Sequence, residues 1–190
     1  MPVNYITAPD PVSENIFFDL TLNAEYQHCP PVLDILVDNE AVGHYIIDQA
    51  SYHIRFKRVM SFDQPHMLEL RRSGKHNDHT QSLHIQEVKL DNINLRNIVW
   101  HTCTYEPEYP EPWATEQRQQ GIELEPVVPG EMYLGHDGVW RFDLSGACST
   151  RACMRERLIN PRTRTCTRKS RGGGDKPYSL PPPFRVPSAI

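Results

Sequence analysis

Short segments in which apolar and polar residues alternate are the feature that most constrains this chain. In the clearest of them, Ile16, Phe18, Leu20 and Leu22 occupy every second position. A period of two places alternate side chains on one face of an extended strand, so the segment predicts a half-buried β-strand. The same period recurs at 52–56 and at 83–90, where one break of phase indicates a β-bulge.

Turn residues join several of these segments into predicted hairpins. The segments 32–37 and 41–47 flank Asp38, Asn39 and Glu40, which are turn-forming residues. The segments 131–134 and 139–144 flank a four-residue turn bounded by Gly135 and Gly138, and this pattern predicts the clearest hairpin in the chain. We also expect 93–99 to continue as extended chain.

Helical patterns are scarce. One or two helical turns are predicted at 114–120 after Pro112, and a short basic helix is predicted at 151–159 before Pro161. Several short strands at spacings of about 8–12 residues, with little helix between them, are typical of a β-sandwich. We therefore predict an all-β fold, an antiparallel β-sandwich of jelly-roll or immunoglobulin-like type.

Charge divides the chain into two parts. Residues 1–150 contain 10 Lys and Arg and 22 Asp and Glu, a net charge of −12, whereas residues 151–190 contain 10 and 2, a net charge of +8. A basic tail after an acidic body indicates a boundary near 145–150. We divide the chain into an extended N-terminal arm (1–14), a β-sandwich domain (15–146) and a basic, proline-rich C-terminal arm (147–190).

The C-terminal arm is polar, interrupted by glycine and rich in proline, and it cannot bury enough surface to fold alone. Its basic and apolar side chains suit an acidic protein neighbour or the acidic face of a second copy. Nucleic acid is the alternative partner, but 151–171 almost lacks the aromatic residues on which bases stack, so we favour a protein. The candidate interface residues are Leu180, Phe184, Arg185, Val186, Arg164 and Arg168.

Several functional classes have no support in the sequence. No apolar run approaches the roughly 20 residues of a membrane-spanning helix, so we expect no such helix. The first residues lack the pattern of a secretory signal, so we expect no signal peptide. We find no nucleophile motif, metalloprotease motif or glycine-rich phosphate loop, so we expect no catalytic residues and no enzymatic activity. Five cysteines without a CxxC pair are interpreted as free thiols: Cys29, Cys103, Cys148, Cys153 and Cys166.

Histidine and acidic residues cluster near the polar loop 73–80. His76, Asp78 and His79 lie within it, and Asp63 and His66 precede it. Carboxylate oxygens in a sandwich loop can bind calcium, which makes calcium the candidate cofactor of this loop. The loop nevertheless lacks the alternating acidic pattern of a calcium site, so we interpret it as solvated and expect no metal ligands and no cofactor.

An aromatic and proline-rich stretch at 100–113 is the strongest candidate for ligand binding. Flat aromatic side chains on a stiff loop suit stacking on a sugar or an anchoring role in a protein interface. The candidate residues are Tyr105, Tyr109 and Trp113. The structural alternative is that Trp100 and Trp113 cover the end of the sandwich core.

The order of these features resembles known β-sandwich families. The segment VLDILVDNEAV, the loop GKHNDHT and the strand pair LHIQEVKLDNINL are similar to calcium-dependent xylan-binding modules. The segments INLRNIVWHTCTYEPEYPEPWA and MYLGHDGVWRFDLS resemble small β-sandwich structural proteins of cyanobacterial tailed phages. The second segment contains the residues of their closing motif, which are Leu134, Gly135, His136, Gly138, Trp140 and Phe142. The resemblance covers about 15–144, after which this chain departs from those proteins.

This resemblance implies a virion protein without enzymatic activity, located in the particle and assembled in the host cytoplasm. Its partners would be other virion proteins and further copies of itself in a symmetric assembly, joined through the terminal arms. The alternative implied by the sugar-binding relatives is a carbohydrate-binding module for glycans of the host surface. The calcium site of those relatives is not transferred, because the loop offers chiefly Asp78.

Overall fold

A computed structural model describes residues 13–61, 64–75 and 80–145 of the chain. The N-terminal arm up to residue 12, the C-terminal arm and the predicted helix at 151–159 therefore lie outside the described residues. The same holds for the six candidate interface residues, Leu180, Phe184, Arg185, Val186, Arg164 and Arg168.

Strands dominate the described residues, and two short helices interrupt them. The strands are β1 Ser13–Tyr26, β2 Val32–Val37, β3 Glu40–Ile46, β4 Ser51–Ser61, β5 Met67–Ser73, β6 Gln81–Leu90, β7 Ile93–Asn94, β8 Cys103–Glu108, β9 Val128–Pro129, β10 Tyr133–Leu134 and β11 Asp137–Asp143. The helices are α1 Arg96–Thr102 and α2 Trp113–Gln119. Neither helix is long and apolar enough to cross a membrane.

The strands form two antiparallel sheets. The first sheet has the order β10-β6-β1-β4, with β7 paired to β6, and the second has the order β3-β2-β5-β11-β8-β9. Their apolar faces share one core, which contains Phe18 and Leu20 from the first sheet and Leu70 and Trp140 from the second. The predicted all-β fold with two antiparallel sheets is confirmed.

Strand β1 is the central strand of the first sheet and follows the predicted alternation. Its even-numbered residues from Ile16 to Ala24 are buried, and β4 and β6 pair with its two edges. Phe18 lies opposite Phe56 of β4, and the two rings stack with centroids 4.6 Å apart. Burial of each large apolar side chain contributes about 1.5–3 kcal/mol, so β1 anchors the core.

The predicted hairpin of β2 and β3 is confirmed. Its turn residues Asp38 and Asn39 both have positive φ angles, 54° and 65°. This is the geometry of the tight turn whose twist matches that of paired strands, and Asp and Asn tolerate it better than most residues. Asp91 and Asn92 form a similar turn between β6 and β7.

The predicted bulge is also confirmed. Thr21 of β1 pairs with Glu87 of β6, whereas Leu22 pairs with Ile85, so Gln86 is the extra residue. The bulge returns Val88 and Leu90 to the buried face after the break of phase in the sequence.

The predicted hairpin around 135–138 is wrong. Leu134 of β10 pairs with Leu83 in the first sheet, whereas β11 lies between β5 and β8 in the second sheet. The segment therefore crosses from the first sheet to the second, and the turn bounded by Gly135 and Gly138 connects the two sheets instead of two strands of one sheet. It allows Leu134 and Trp140 to be buried on opposite sides of the core.

The expectation that 93–99 is entirely extended is also wrong. Only β7 is extended, and α1 begins at Arg96. Leu95, which precedes the helix, and Val99 are buried at a spacing of four, which is the period of a helix facing the core. The helix has only seven residues, too few for this period to stand out in the sequence.

We predict that Gly138→Ala strongly destabilises the protein. Gly138 has a φ of 146°, and a Cβ atom there would lie 2.2 Å from the backbone oxygen of Glu106 in β8. The variant should therefore lose about 3 kcal/mol or more in the free energy of unfolding, measured with urea. Gly121→Ala is the control, because φ is 79° there but nothing lies within 4 Å, so that it should lose only about 1 kcal/mol. Equal losses in the two variants would contradict the close contact between β11 and β8.

Candidate functional site

Antiparallel pairing brings four strand ends together at one end of the sandwich. Gly138 at the start of β11 pairs with Arg72 near the end of β5, and Asp137 pairs with Glu108 at the end of β8. Gln81 at the start of β6 follows directly after the polar loop that leaves β5. We call this end of the molecule the polar end, because charged side chains fill it.

Arg72 lies at the centre of the polar end with a fully buried side chain. Its Nη2 donates hydrogen bonds to Gln81 Oε1 at 2.7 Å and to the Gln81 backbone oxygen at 3.1 Å. Its Nη1 lies 3.9 Å from Asp137 Oδ1. Burial lowers the pKa of the guanidinium, and the nearby Asp137 carboxylate opposes that effect. The charge is thus stabilised by Asp137 and Gln81.

Asp137 also fixes the start of the polar loop. Both of its carboxylate oxygens accept hydrogen bonds from the backbone N–H of Lys75, at 3.1 and 3.0 Å. The Lys75 ammonium donates a hydrogen bond to the backbone oxygen of Gly135. Burial and the nearby Arg72 lower the pKa of Lys75. The polar end therefore contains two cations, Arg72 and Lys75, around one carboxylate.

Tyr105, a predicted ligand-binding residue, belongs to the core. Its side chain is 3% exposed, and its hydroxyl donates a hydrogen bond to the backbone oxygen of His136 at 2.5 Å. Burial raises the pKa of this hydroxyl to about 12. Tyr105 therefore positions the crossing segment that carries His136, and its ring offers no free face for stacking.

Tyr109 and Trp113, the other two predicted residues, come together around His136. The ring centroids of Tyr109 and Trp113 are 5.8 Å apart, and that of His136 lies 5.2 Å from Tyr109 and 5.0 Å from Trp113. All three side chains are only partly exposed. We call Tyr109, Trp113 and His136 the aromatic cluster.

Local contacts fix both aromatic residues. Trp113 is the first residue of α2, where Glu111 accepts hydrogen bonds from the backbone N–H and the hydroxyl of Thr115. The hydroxyl of Tyr109 donates a hydrogen bond to the backbone oxygen of Glu125 at 2.9 Å. The cluster is therefore held before any ligand binds, which lowers the entropic cost of binding.

Trp100, the other tryptophan of the aromatic stretch, lies elsewhere. It is 60% exposed on α1 and packs beside Gly130, so the expectation that it covers the core is wrong. Its exposure makes Trp100 a useful comparison with Trp113.

Burial and the nearby cations make the His136 ring harder to protonate than a free imidazole. Burial lowers its pKa, and the nearby charges of Lys75 and Arg72 lower it further. The imidazole packs against both Tyr109 and Trp113 and adds a third flat ring to the cluster. The aromatic cluster thus presents flat rings next to the cations of the polar end, an arrangement that suits recognition of a ring-shaped ligand.

The sequence did not lead us to predict Arg72 and Lys75 as residues of the site, although the position of Arg72 in the alternation of β5 indicates that it is buried. Leu68, Leu70 and Arg72 alternate along β5, and all three are buried. An arginine in phase with core residues predicts a buried cation that requires partners. Lys75 carries no such signal, because its role follows from the position of the loop relative to Asp137.

Of the candidate calcium residues, only His66 lies in the described part of the chain. His66 is buried, with its Nδ1 2.6 Å from Asp38 Oδ2 and its Nε2 2.5 Å from the backbone oxygen of Ser61. Asp63 and residues 76–79 lie outside the described residues. Within the described residues, no three His, Cys, Asp or Glu side chains are grouped so as to hold a metal.

The two described cysteines are free thiols. Cys103 is buried, and burial raises the pKa of its thiol, whereas Cys29 is partly exposed. A buried thiol with a raised pKa is a poor nucleophile, so Cys103 has a structural role.

Comparisons with known proteins found no similarity. No family model matches the chain, and no curated protein and no solved structure matches it.

We predict that His136 makes stability depend on pH. The unfolded chain binds a proton at His136 near pH 6.5, whereas the folded protein does so only at lower pH. Protonation therefore favours unfolding, so the stability contribution is complete above about pH 6.5 and declines as pH falls toward the lowered pKa. The free energy of unfolding of wild type minus that of His136→Gln should decrease from about pH 7.5 to about pH 5.5 in urea titrations.

Both proteins contain the other histidines, so the pH dependence that those histidines contribute cancels in this difference. A difference that stays constant over this pH range, or that grows as pH falls, would contradict the lowered pKa of His136.

Proposed function

We propose that this protein is a non-enzymatic structural component of a phage virion. The body would be a sandwich of jelly-roll or immunoglobulin-like type, and the N-terminal and C-terminal arms would lie extended across other virion proteins and further copies of this chain. The protein would be located in the virion after assembly in the host cytoplasm. The phage assignment rests on the resemblance of 15–144 to structural proteins of tailed phages.

The observation that carries this proposal is the contrast in charge between body and tail. The described residues belong to the part of the chain with a net charge of −12, and residues 151–190 carry +8. The described residues form an apolar core between two sheets, so we expect the body to fold without the tail. A basic segment with few apolar residues gains order against a partner surface, and an acidic neighbour supplies the opposite charge.

We predict that a chain shortened to residues 1–145 folds but fails to join particles. Its circular dichroism and urea unfolding should match those of the full chain, because the described core lies within 13–145. Its copy number in purified particles, measured by quantitative mass spectrometry, should fall to background. A second variant with Arg164→Glu and Arg168→Glu keeps the length of the chain and should also reduce incorporation.

Normal copy number of the shortened chain would refute attachment through the C-terminal arm. If the charge-reversed variant has a normal copy number but the shortened chain does not, the arm attaches the protein by contacts other than the charges of Arg164 and Arg168.

Glycan binding at the aromatic cluster is the second candidate function. The observation that favours it is the preformed group of Tyr109, Trp113 and His136, which holds flat rings beside the cations of the polar end. Sugar rings stack on such faces. In this function the protein would attach to glycans of the host surface.

We predict that Trp113→Ala lowers glycan affinity about tenfold or more, because it removes an anchoring ring from the cluster. Trp100→Ala is the matched control, since Trp100 is an exposed tryptophan outside the cluster. Binding is measured on a glycan array and then by titration of the best glycan, with calcium and with a chelator. Equal effects of the two substitutions, or no glycan signal from the full chain, would exclude this function.

A further inference from the structure

Strand β4 forms an edge of the first sheet. It is paired with β1 along its whole length, and no other strand of the described residues pairs with it. With 11 residues, it is long for an edge strand. An unpaired edge of this length is a template for pairing with another extended chain.

The register shows which backbone groups of β4 are available. The backbone oxygen of Phe17, an odd-numbered residue of β1, accepts a hydrogen bond from the N–H of Asp91, on the side of β1 away from β4. The N–H of Ala24, an even-numbered residue of β1, donates to the backbone oxygen of Ala50, which directly precedes β4. Backbone groups alternate in direction along a strand, so even-numbered residues of β4 bond to β1. The backbone groups of His53, Arg55, Lys57 and Val59 therefore point outward from the sheet edge.

Charge distinguishes this edge from the rest of the body. The segment Ser51–Ser61 contains Arg55, Lys57 and Arg58 and no Asp or Glu, although residues 1–150 as a whole carry −12. Arg55 pairs with Asp19 at 2.8 Å, and Arg58 pairs with Glu40. Lys57 is exposed and has no ion pair among the described residues, so we expect its ammonium to meet an acidic partner.

Apolar and aromatic surface lies at both ends of the edge. Val59 is 68% exposed, and Phe17, which pairs with Lys57 on the same face, is 58% exposed. At the other end, Tyr45 and Tyr52 line a cleft of about 480 Å³ together with Gln49 and His53. A partner that follows the edge would thus find backbone donors and acceptors, then Lys57, with Val59 and Phe17 at one end and the tyrosine-lined cleft at the other.

We propose that the outer edge of β4 binds an extended acidic segment of a neighbouring protein, which adds to the first sheet as a further strand. Backbone hydrogen bonds would supply affinity, and charge and the exposed apolar side chains would supply specificity. A second copy of this chain that paired through its own β4 fits less well. In that pairing, Arg55 and Lys57 of one copy would lie close to Arg55 and Lys57 of the other and repel them. This inference specifies a contact within the proposed assembly function and rests on it.

The test uses purified full-length protein and a labelled peptide that alternates Val or Thr with Glu. Fluorescence anisotropy should show binding that weakens as salt is raised. Lys57→Glu should weaken binding about tenfold or more. Arg96→Glu is the matched control, since it makes the same change of charge on α1 and should leave affinity unchanged. A peptide with Lys in place of Glu should bind the Lys57→Glu variant more tightly than it binds the wild type.

A second variant tests the backbone contact. Val59→Pro removes an outward N–H without removing a hydrogen bond to β1, so it should weaken binding while leaving the protein folded. Val59→Thr is its control and should bind normally. Hydrogen exchange should slow on peptide addition at His53, Arg55, Lys57 and Val59, and not at the residues between them, whose amides already bond to β1.

Three results would overturn the proposal. They are no peptide binding up to about 1 mM, equal affinity of Val59→Pro and Val59→Thr, and sedimentation showing that the edge pairs with a second copy instead. None of these depends on virus particles, so the edge contact and the proposed virion function can fail separately.

Discussion

Strand β1 is the constraint on which the rest of the structure depends. It places a buried side chain in the core at every second position and pairs with β4 on one side and β6 on the other. Because a shift of one residue would turn its apolar face to solvent, the registers of β4 and β6 follow from β1. The exposed edge of β4 and the starting position of β6 at the polar end are both consequences of that register.

The polar end shows how a buried cation organises loops. Arg72 enters the core in phase with Leu68 and Leu70, where Gln81 accepts a hydrogen bond from its Nη2 and the Asp137 carboxylate lies near its Nη1. Asp137 in turn binds the backbone of Lys75 and so fixes the crossing segment relative to the polar loop. The aromatic cluster depends on this network, because His136 lies directly before Asp137.

Local patterns made much of the fold predictable from the sequence, whereas pairing between distant segments was not predictable. The alternation in β1 and the turn at Asp38 and Asn39 are properties of a few neighbouring residues, and both were found. The turn bounded by Gly135 and Gly138 was recognised, but a local pattern does not show whether the chain returns to the same sheet or crosses to the other. The site was partly predicted for the same reason. Tyr109 and Trp113 lie only four residues apart in the sequence, whereas Arg72 and Asp137 meet only after folding.

The acidic body, the basic tail and the edge of β4, which no strand of the described residues covers, all support the proposal that this protein functions by contact with neighbours. The central claim is that residues 151–190 become ordered against another subunit. A density map of the assembled particle tests it most directly. We expect that this segment can be traced along a neighbouring subunit, with its basic residues opposite acidic ones. A map in which the segment folds back on its own sandwich, or a particle that lacks the protein, would contradict this claim.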